Sequence, residues 1–288
     1  MTEQMVASAG VHLSVRSSGH LDGPTVILIH GFPDNGSTWS LVVPLLEPHF
    51  HVVTYDVRGA GGSSAPADRK DYGIDRLVDD LIAVIDRVRP DGAPIHLVGH
   101  DWGAVQAWDA VMREGTDARL SNRIASYTAI ACPGLDLFGH FVKTGFRERA
   151  AGRLTRQLGR SWYIGFFQLP FLPELAFRRL GKGIHHSMAR TQELGAAAQW
   201  SDTFPRDGAN GVNLYRANRL QFTHGTTKVP VRLIIPTKDT FLSTAVYDDV
   251  ALFAPDSERI DIVAGHWVIR THPEVIAEKI TEHVEAHS

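Results

Sequence analysis

Cysteine is nearly missing from this chain: Cys132 is the only one in 288 residues, so no disulfide can form within it. So little cysteine is typical of a reducing compartment, and we expect a cytoplasmic protein. No apolar run is long enough to cross a bilayer. Residues 1–10 contain neither a basic segment nor an apolar one, so we expect no signal peptide.

A large excess of one charge is missing too. Twenty-nine lysines and arginines stand against 32 aspartates and glutamates, a formal net charge of −3 at pH 7. This balance argues against a nucleic-acid-binding protein. His96 and His100 have a zinc-like spacing of four, but they lie on a predicted strand, and that spacing places two ligands side by side only on a helix. We expect no metal and no organic cofactor.

Short apolar, β-branched runs that end in turns are abundant. Most lack the polar alternation of a half-exposed sheet, so we predict strands that are covered on both faces. The runs are Thr25–Ile29, His51–Tyr55, Ile95–Val98, Ile124–Ile130, Val231–Ile235 and Ile260–Val263. Helical patterns lie between them, for example Leu77, Leu81 and Val88, and a last one starts at Pro273. This alternation predicts an α/β protein with a mostly parallel sheet.

The alternation stops between Cys132 and about Thr223, where no convincing strand pattern appears. We predict a helical insertion there, with a core at residues 1–133 and 224–288 and a helical cap at 134–223. Ligands of open α/β sheets bind beyond the carboxyl ends of the strands, so such a cap would cover the site.

The predicted cap is rich in arginine and poor in acidic residues. We interpret these arginines as a solvated face, with contact to membrane lipids as the alternative. They are Arg147, Arg149, Arg153, Arg156, Arg160, Arg178, Arg179 and Arg190.

Asp101 lies in the sequence Gly99-His100-Asp101-Trp102-Gly103, directly after a predicted strand and before a helical pattern. A strand, then Gly-x-nucleophile-x-Gly, then a helix is the nucleophile-elbow pattern, here with aspartate in place of the usual serine. An aspartate that only caps the following helix gives the same local pattern.

Three further segments match the partners that such an elbow needs. The loop after the first of the six predicted strands, His30-Gly31-Phe32-Pro33, would supply one oxyanion-binding N–H, from Phe32, and the residue after the nucleophile, Trp102, the other. Asp239 follows a late strand and His266 follows the last one. Their chain order, nucleophile, acid and then histidine, is the order expected for this arrangement.

Together these segments resemble the epoxide hydrolases of the α/β-hydrolase superfamily. The resemblance covers His30–Asn35, Asp56–Ser63, His100–Gly103, Asp239 and Gly265–Trp267, and so spans nearly the whole chain. It implies the α/β-hydrolase fold, with a mostly parallel eight-stranded sheet, helices on both faces and a helical cap insertion. The chain is also similar to the hydrolase half of actinobacterial fusions with a short-chain reductase; it stops at Ser288, and we expect no reductase.

The resemblance also implies two cap tyrosines that hold the epoxide oxygen. The segment Trp162-Tyr163-Ile164-Gly165 looks like the first tyrosine motif and Asn213-Leu214-Tyr215-Arg216 like the second, which assigns Tyr163 and Tyr215. Two aromatic residues that pack a cap onto a core would give the same pattern.

We therefore expect an epoxide hydrolase that takes a small lipophilic epoxide and water. Asp101 would attack a ring carbon, and water activated by His266, which Asp239 orients, would hydrolyse the ester. A haloalkane or haloacid dehalogenase with the same aspartate is an alternative, although Phe32 and Trp102 occupy places where such enzymes carry halide or carboxylate ligands. A non-catalytic ligand-binding protein on a hydrolase scaffold is a further alternative. The oligomeric state does not follow from the sequence.

Overall fold

The structure, a computed structural model, describes residues 1–147, 151–192, 194–195, 200–221 and 225–288. Eight strands form one sheet in the order β1-β2-β4-β3-β5-β6-β7-β8. The β1–β2 and β2–β4 pairs are antiparallel, and every other pair is parallel. This confirms the predicted fold class. The strands are β1 Thr2–Ser8, β2 Val11–Gly19, β3 Thr25–Ile29, β4 His51–Tyr55, β5 Ile95–His100, β6 Ile124–Ile130, β7 Val231–Pro236 and β8 Ser257–Ile262.

The helices of the described residues follow the predicted alternation. They are α1 Val43–Leu46, α2 Ile74–Val88, α3 Trp102–Arg113, α4 Leu135–Arg147, α5 Ala151–Arg160, α6 Trp162–Phe167, α7 Leu172–Thr191, α8 Phe204–Ala217, α9 Val268–Thr271 and α10 Pro273–Glu285. Within that part of the chain, no helix is long and apolar enough to span a membrane.

Apolar side chains cover both faces of the sheet. On one face Leu77 and Leu81 of α2 are buried with residues of α3, and on the other Ile276 and Ile280 of α10 pack with α1 and α9. Strand β3 is buried at every position. A sheet covered in this way leaves the carboxyl ends of its parallel strands as the place for a ligand.

Five helices, α4 to α8, lie between β6 and β7, and we call them the helical insertion. Phe167, Phe177, Phe204 and Val212 form a small apolar core of its own. The predicted cap boundary at 133/134 falls between β6 and α4, whereas the boundary at 223/224 falls outside the described residues. The division into a core and a cap domain stays a prediction.

Candidate active site

Asp101 occupies a tight turn between β5 and α3, with a φ of +53° and a ψ of −123°. A non-glycine residue at positive φ is strained and is held there by its surroundings. Both neighbouring glycines are needed for space. A Cβ on Gly99 would lie 2.5 Å from the Cα of Ala104, and one on Gly103 would overlap the carbonyl oxygen of Ile29. The predicted elbow is therefore present as backbone geometry, with the carboxylate at its tip.

The loop after β3 faces this carboxylate. The Phe32 N–H donates to Asp101 Oδ1 at 2.7 Å, and a Cβ on Gly31 would overlap the same oxygen. His30 is a structural residue, because its Nε2 accepts from the N–H of Val57 at 2.8 Å. The glycine of His30-Gly31-Phe32 thus allows a main-chain donor to reach the predicted nucleophile.

His266 lies between two carboxylates. Its Nδ1 is 2.7 Å from Asp239 Oδ2, and its Nε2 is 3.4 Å from Asp101 Oδ2. The other oxygen of Asp239 accepts from the N–H groups of Phe241, at 2.6 Å, and Leu242, at 3.1 Å. The structure therefore brings the predicted aspartate, histidine and second aspartate into one row.

A positive charge on His266 and a negative charge on Asp101 favour each other. Burial opposes a charge on His266, yet Asp239 and Asp101 raise the pKa of its imidazole to about 10. Burial alone would raise the pKa of Asp101, but the His266 imidazole 3.4 Å away lowers the pKa below its ordinary value. Both shifts favour an imidazolium at His266, between the two carboxylates.

Two titratable neighbours stay neutral. Burial, followed by the charge of His266, lowers the pKa of His100 to about 4, and its Nε2 donates to the carbonyl oxygen of His266 at 3.0 Å. Burial and the nearby Asp101 and Asp239 raise the pKa of the Cys132 thiol well above its ordinary value, so it is a poor nucleophile. No group of three potential metal ligands occurs among the described residues.

Tyr163 of α6 and Tyr215 of α8 lie above the row. Their ring centroids are 5.8 Å apart, and the two rings meet edge-on at 86°. The ring of Tyr215 also packs edge-on against the ring of Trp102, with the centroids 5.0 Å apart. Burial and the charge of Asp101 raise the pKa of both phenols well above the ordinary value, so both remain protonated.

Two cavities meet at this point. One of about 240 Å³ is largely aromatic and reaches Trp162, Phe166 and Phe177. The other, of about 620 Å³, extends along Leu135, Phe138 and Leu220. The residues that both cavities share are Asp101, Tyr163, Tyr215, Phe241 and His266. Both cavities therefore give access to the predicted nucleophile, the predicted base and both phenols.

Sequence reasoning missed three polar residues of the insertion that hold the histidine side of the site. Gln157 of α5, fully buried, donates to the Phe241 carbonyl at 2.8 Å and accepts from the Ser243 N–H at 2.8 Å. Arg160 donates to the carbonyls of Asp239, at 3.0 Å, and Leu242, at 2.9 Å. The prediction that Arg160 belongs to a solvated face was therefore wrong.

Gln192, after the last turn of α7, is the third. Its Oε1 accepts from the His266 N–H at 2.9 Å, and its Nε2 donates to Thr240 Oγ1. The available signal was at Gln157, which follows Leu154 by three residues and so shares the apolar side of an arginine-rich helix. Nothing local marked Gln192. Of the other predicted solvated arginines, Arg149 and the side chain of Arg147 lie outside the described residues.

The chain is similar to known proteins in both sequence and fold. The chain is 34% identical to the Mycobacterium tuberculosis protein named "Probable oxidoreductase EphD" over 94% of this chain, but spans only 47% of that relative. It is 29% identical to epoxide hydrolase A of the same species, covering 98% of this chain and 96% of the relative. The crystal structure of a Bacillus megaterium epoxide hydrolase with an inhibitor has the same fold, with a TM-score of 0.81 at 20% identity over 98% of this chain and 100% of that one.

The family model described as the alpha/beta hydrolase family matches residues 26–279. That range includes strands β4 to β8 and nearly all of β3, the helical insertion, and Asp101, Asp239 and His266. The chain belongs to the alpha/beta hydrolase family, and its relatives include epoxide hydrolases.

Proposed function

We propose that this chain is an epoxide hydrolase that converts an epoxide into a vicinal diol through a covalent ester on Asp101. The observation that carries the proposal is the pair of adjacent phenols, Tyr163 and Tyr215, which line the same two cavities as Asp101. An epoxide needs both a nucleophile for its carbon and a proton donor for its oxygen, and both kinds of group line these cavities. The relatives named epoxide hydrolases support the same activity.

In the first step an Asp101 oxygen attacks a ring carbon, and the carbon–oxygen bond of the ring breaks. The departing oxygen takes a phenolic proton from the tyrosine pair. The His266 imidazolium then returns a proton to the phenolate that this transfer leaves. The step leaves an alkyl ester on Asp101, a β-hydroxyl on the substrate and a neutral imidazole, and the site charge stays at −1.

This proton transfer prepares the second step. Asp101 loses its charge when it becomes an ester, so one of the two carboxylates that raise the pKa of His266 disappears. The neutral imidazole, still oriented by Asp239, takes a proton from water, and the hydroxide adds to the ester carbonyl. The N–H groups of Phe32 and Trp102 stabilise the oxyanion. Collapse releases the diol, whose oxygen takes the remaining water proton, and restores the carboxylate and the imidazolium.

A dehalogenase uses the same aspartate but needs donors for a halide. In this site the rings of Trp102 and Phe32 both pack edge-on against Tyr215, at 5.0 Å and 5.2 Å between centroids. Both residues support the phenol, which favours epoxide opening. A purely ligand-binding role is less well supported, because the nucleophile, the histidine, the acid and both phenols are all present.

A single turnover in ¹⁸O-labelled water tests the covalent route. With excess enzyme and styrene oxide, we expect unlabelled diol and labelled Asp101, measured by mass spectrometry of its peptide. Label that appears in the first diol would mean direct attack of water on the epoxide and would contradict the proposal. Halide release from a haloalkane panel without diol formation would assign the site to dehalogenation instead.

A further inference from the structure

The outer corner between α6 and α7 exposes apolar side chains to solvent. We call Trp162, Leu169, Phe171, Leu172, Leu175 and Leu180 the α6–α7 corner; all six are exposed, Trp162 by 69% and Phe171 by 82%. Folded proteins expose single apolar residues routinely, but a contiguous group of them marks a contact surface. Elsewhere in the described residues the exposed large apolar side chains occur singly or in pairs four residues apart, such as Leu41 and Leu45.

Phe171 is presented at a conformational cost. Its φ is +63° and its ψ is −30°, a region that a bulky side chain rarely adopts. No aromatic contact of Phe171 occurs within the described residues, and its side chain is almost wholly in solvent. Strain of this kind usually accompanies a functional role.

Positive charge surrounds the corner. Residues 134–223 carry thirteen lysines and arginines and six acids, whereas the rest of the chain carries sixteen and twenty-six. On α7, Arg179 and Lys182 continue the exposed stripe of Leu172 and Leu175 at helical spacing, and neither forms an ion pair with another described residue. The insertion is therefore a basic face on an otherwise acidic protein.

The aromatic cavity opens at the same corner. Trp162 lines that cavity and is also largely exposed, and Ala176, which lines the cavity from α7, follows Leu175 directly. An apolar molecule that leaves a lipid layer at this corner would reach the row around Asp101 without crossing water.

We propose that the α6–α7 corner docks on an anionic lipid surface. Exposed leucine and aromatic side chains next to lysine and arginine are the composition of helices that lie in a membrane interface. Each basic residue near such a surface adds to binding, and tryptophan favours the headgroup level. A symmetric contact between two copies would instead bring two basic faces together, which like charges oppose.

Vesicle co-sedimentation at low and high salt tests this surface. We expect binding to phosphatidylcholine vesicles that contain phosphatidylglycerol, weaker binding to phosphatidylcholine alone, and loss of binding as salt rises. Arg179→Gln with Lys182→Gln should weaken binding about thirtyfold. Phe171→Asn with Leu175→Gln should weaken it at least about tenfold, and asparagine tolerates the positive φ.

The matched control is Leu21→Asn with Leu252→Gln, two exposed apolar residues of the core. It should bind like the wild type, and all variants should melt at the wild-type temperature. Failure of the wild type to bind anionic vesicles would overturn the proposal, as would equal losses in the control and corner variants. A dimer that the corner variants dissociate, with no vesicle binding, would reassign the surface to self-association. Vesicle binding does not depend on epoxide turnover, so this proposal and the proposed function fail separately.

Discussion

The two sides of the candidate active site are held by different parts of the molecule. Asp101 is positioned by the core backbone: a strained turn between β5 and α3, two glycines that permit it, and the Phe32 N–H. The segment Asp239–Ser243 and His266 are held instead by side chains of the helical insertion, Gln157, Arg160 and Gln192. The difference teaches that the insertion does more than cover the site, because it also positions the proposed base.

The sharpest test of this division is to remove one partner from each side. Asp101→Asn should form no ester, whereas His266→Gln should form the ester and fail to hydrolyse it, because only the second step needs a base. Both should lose at least about 10⁴-fold in turnover. Intact-protein mass spectrometry after incubation with styrene oxide checks this, with the mass of one substrate added only in the His266 variant.

An ester that accumulates on neither variant, while diol formation persists, would contradict the covalent scheme. An adduct on the Asp101 variant would mean that another residue is the nucleophile. Cys132 is the only thiol of the chain. Loss of the adduct when Cys132→Ser is added to the Asp101→Asn variant would show that the adduct was on that side chain.

Tyr163 and Tyr215 come from the helical insertion, but they act in the first step, in which Asp101 attacks the epoxide. Tyr163→Phe and Tyr215→Phe should each slow ester formation by about 10²-fold, since each removes one of two oxygen contacts, and the double variant should lose more. Stopped-flow tryptophan fluorescence should follow the step, because Trp102 lies 5.0 Å from Tyr215 between ring centroids. Unchanged ester formation in the double variant would remove the tyrosines from the mechanism.

The same division explains what could be predicted from the sequence. Asp101 and Phe32 lie in short motifs whose glycines are required by local geometry. Both residues can therefore be recognised from the residues next to them in the sequence. Asp239 and His266 were found from their order after strands. Gln157 and Gln192 act through hydrogen bonds to residues 84 and 74 positions away, and no local sequence pattern marks a glutamine with such a partner.

Strands show a similar limit. β1 and β2 were not predicted because their buried positions are mixed with serines, among them Ser14, Ser17 and Ser18, which are buried against neighbouring strands. β8 was placed at 260–263 but spans Ser257–Ile262. It is an edge strand with charged outward side chains, Glu258 and Arg259, so its first half lacks an apolar pattern.

A substitution of Gln192 should have a smaller and more selective effect, on His266 alone. Gln192→Met keeps the volume but leaves the buried His266 N–H without its acceptor, which costs about 1.4 kcal/mol and should slow ester hydrolysis about tenfold. Ester formation should stay within about twofold, because Asp101 is held by the core. Single-turnover rates of the two steps check this, with Gln4→Met on β1 as the matched control.

Gln192→Glu sharpens the result further. Its carboxylate can still accept from the His266 N–H, so it should restore much of the hydrolysis rate. Its added negative charge should also raise the pKa that governs this step, because the charged imidazole is favoured. Equal slowing of both steps by Gln192→Met would mean general destabilisation rather than positioning of His266.

The smallest expected effect is a change in one titration, and it measures how the two sides communicate. The pKa of His266 is raised to about 10 by Asp239 and Asp101 together. Asp101→Asn, which is neutral like the proposed ester, should lower it, and Asp239→Asn should lower it further because that carboxylate contributes more. At pH values between the lowered pKa and 10, the variant imidazole is then neutral where the wild-type imidazole is charged. Histidine NMR titration checks this, with the resonance assigned by its loss in His266→Gln; an unchanged pKa in Asp101→Asn would mean that ester formation cannot release the base.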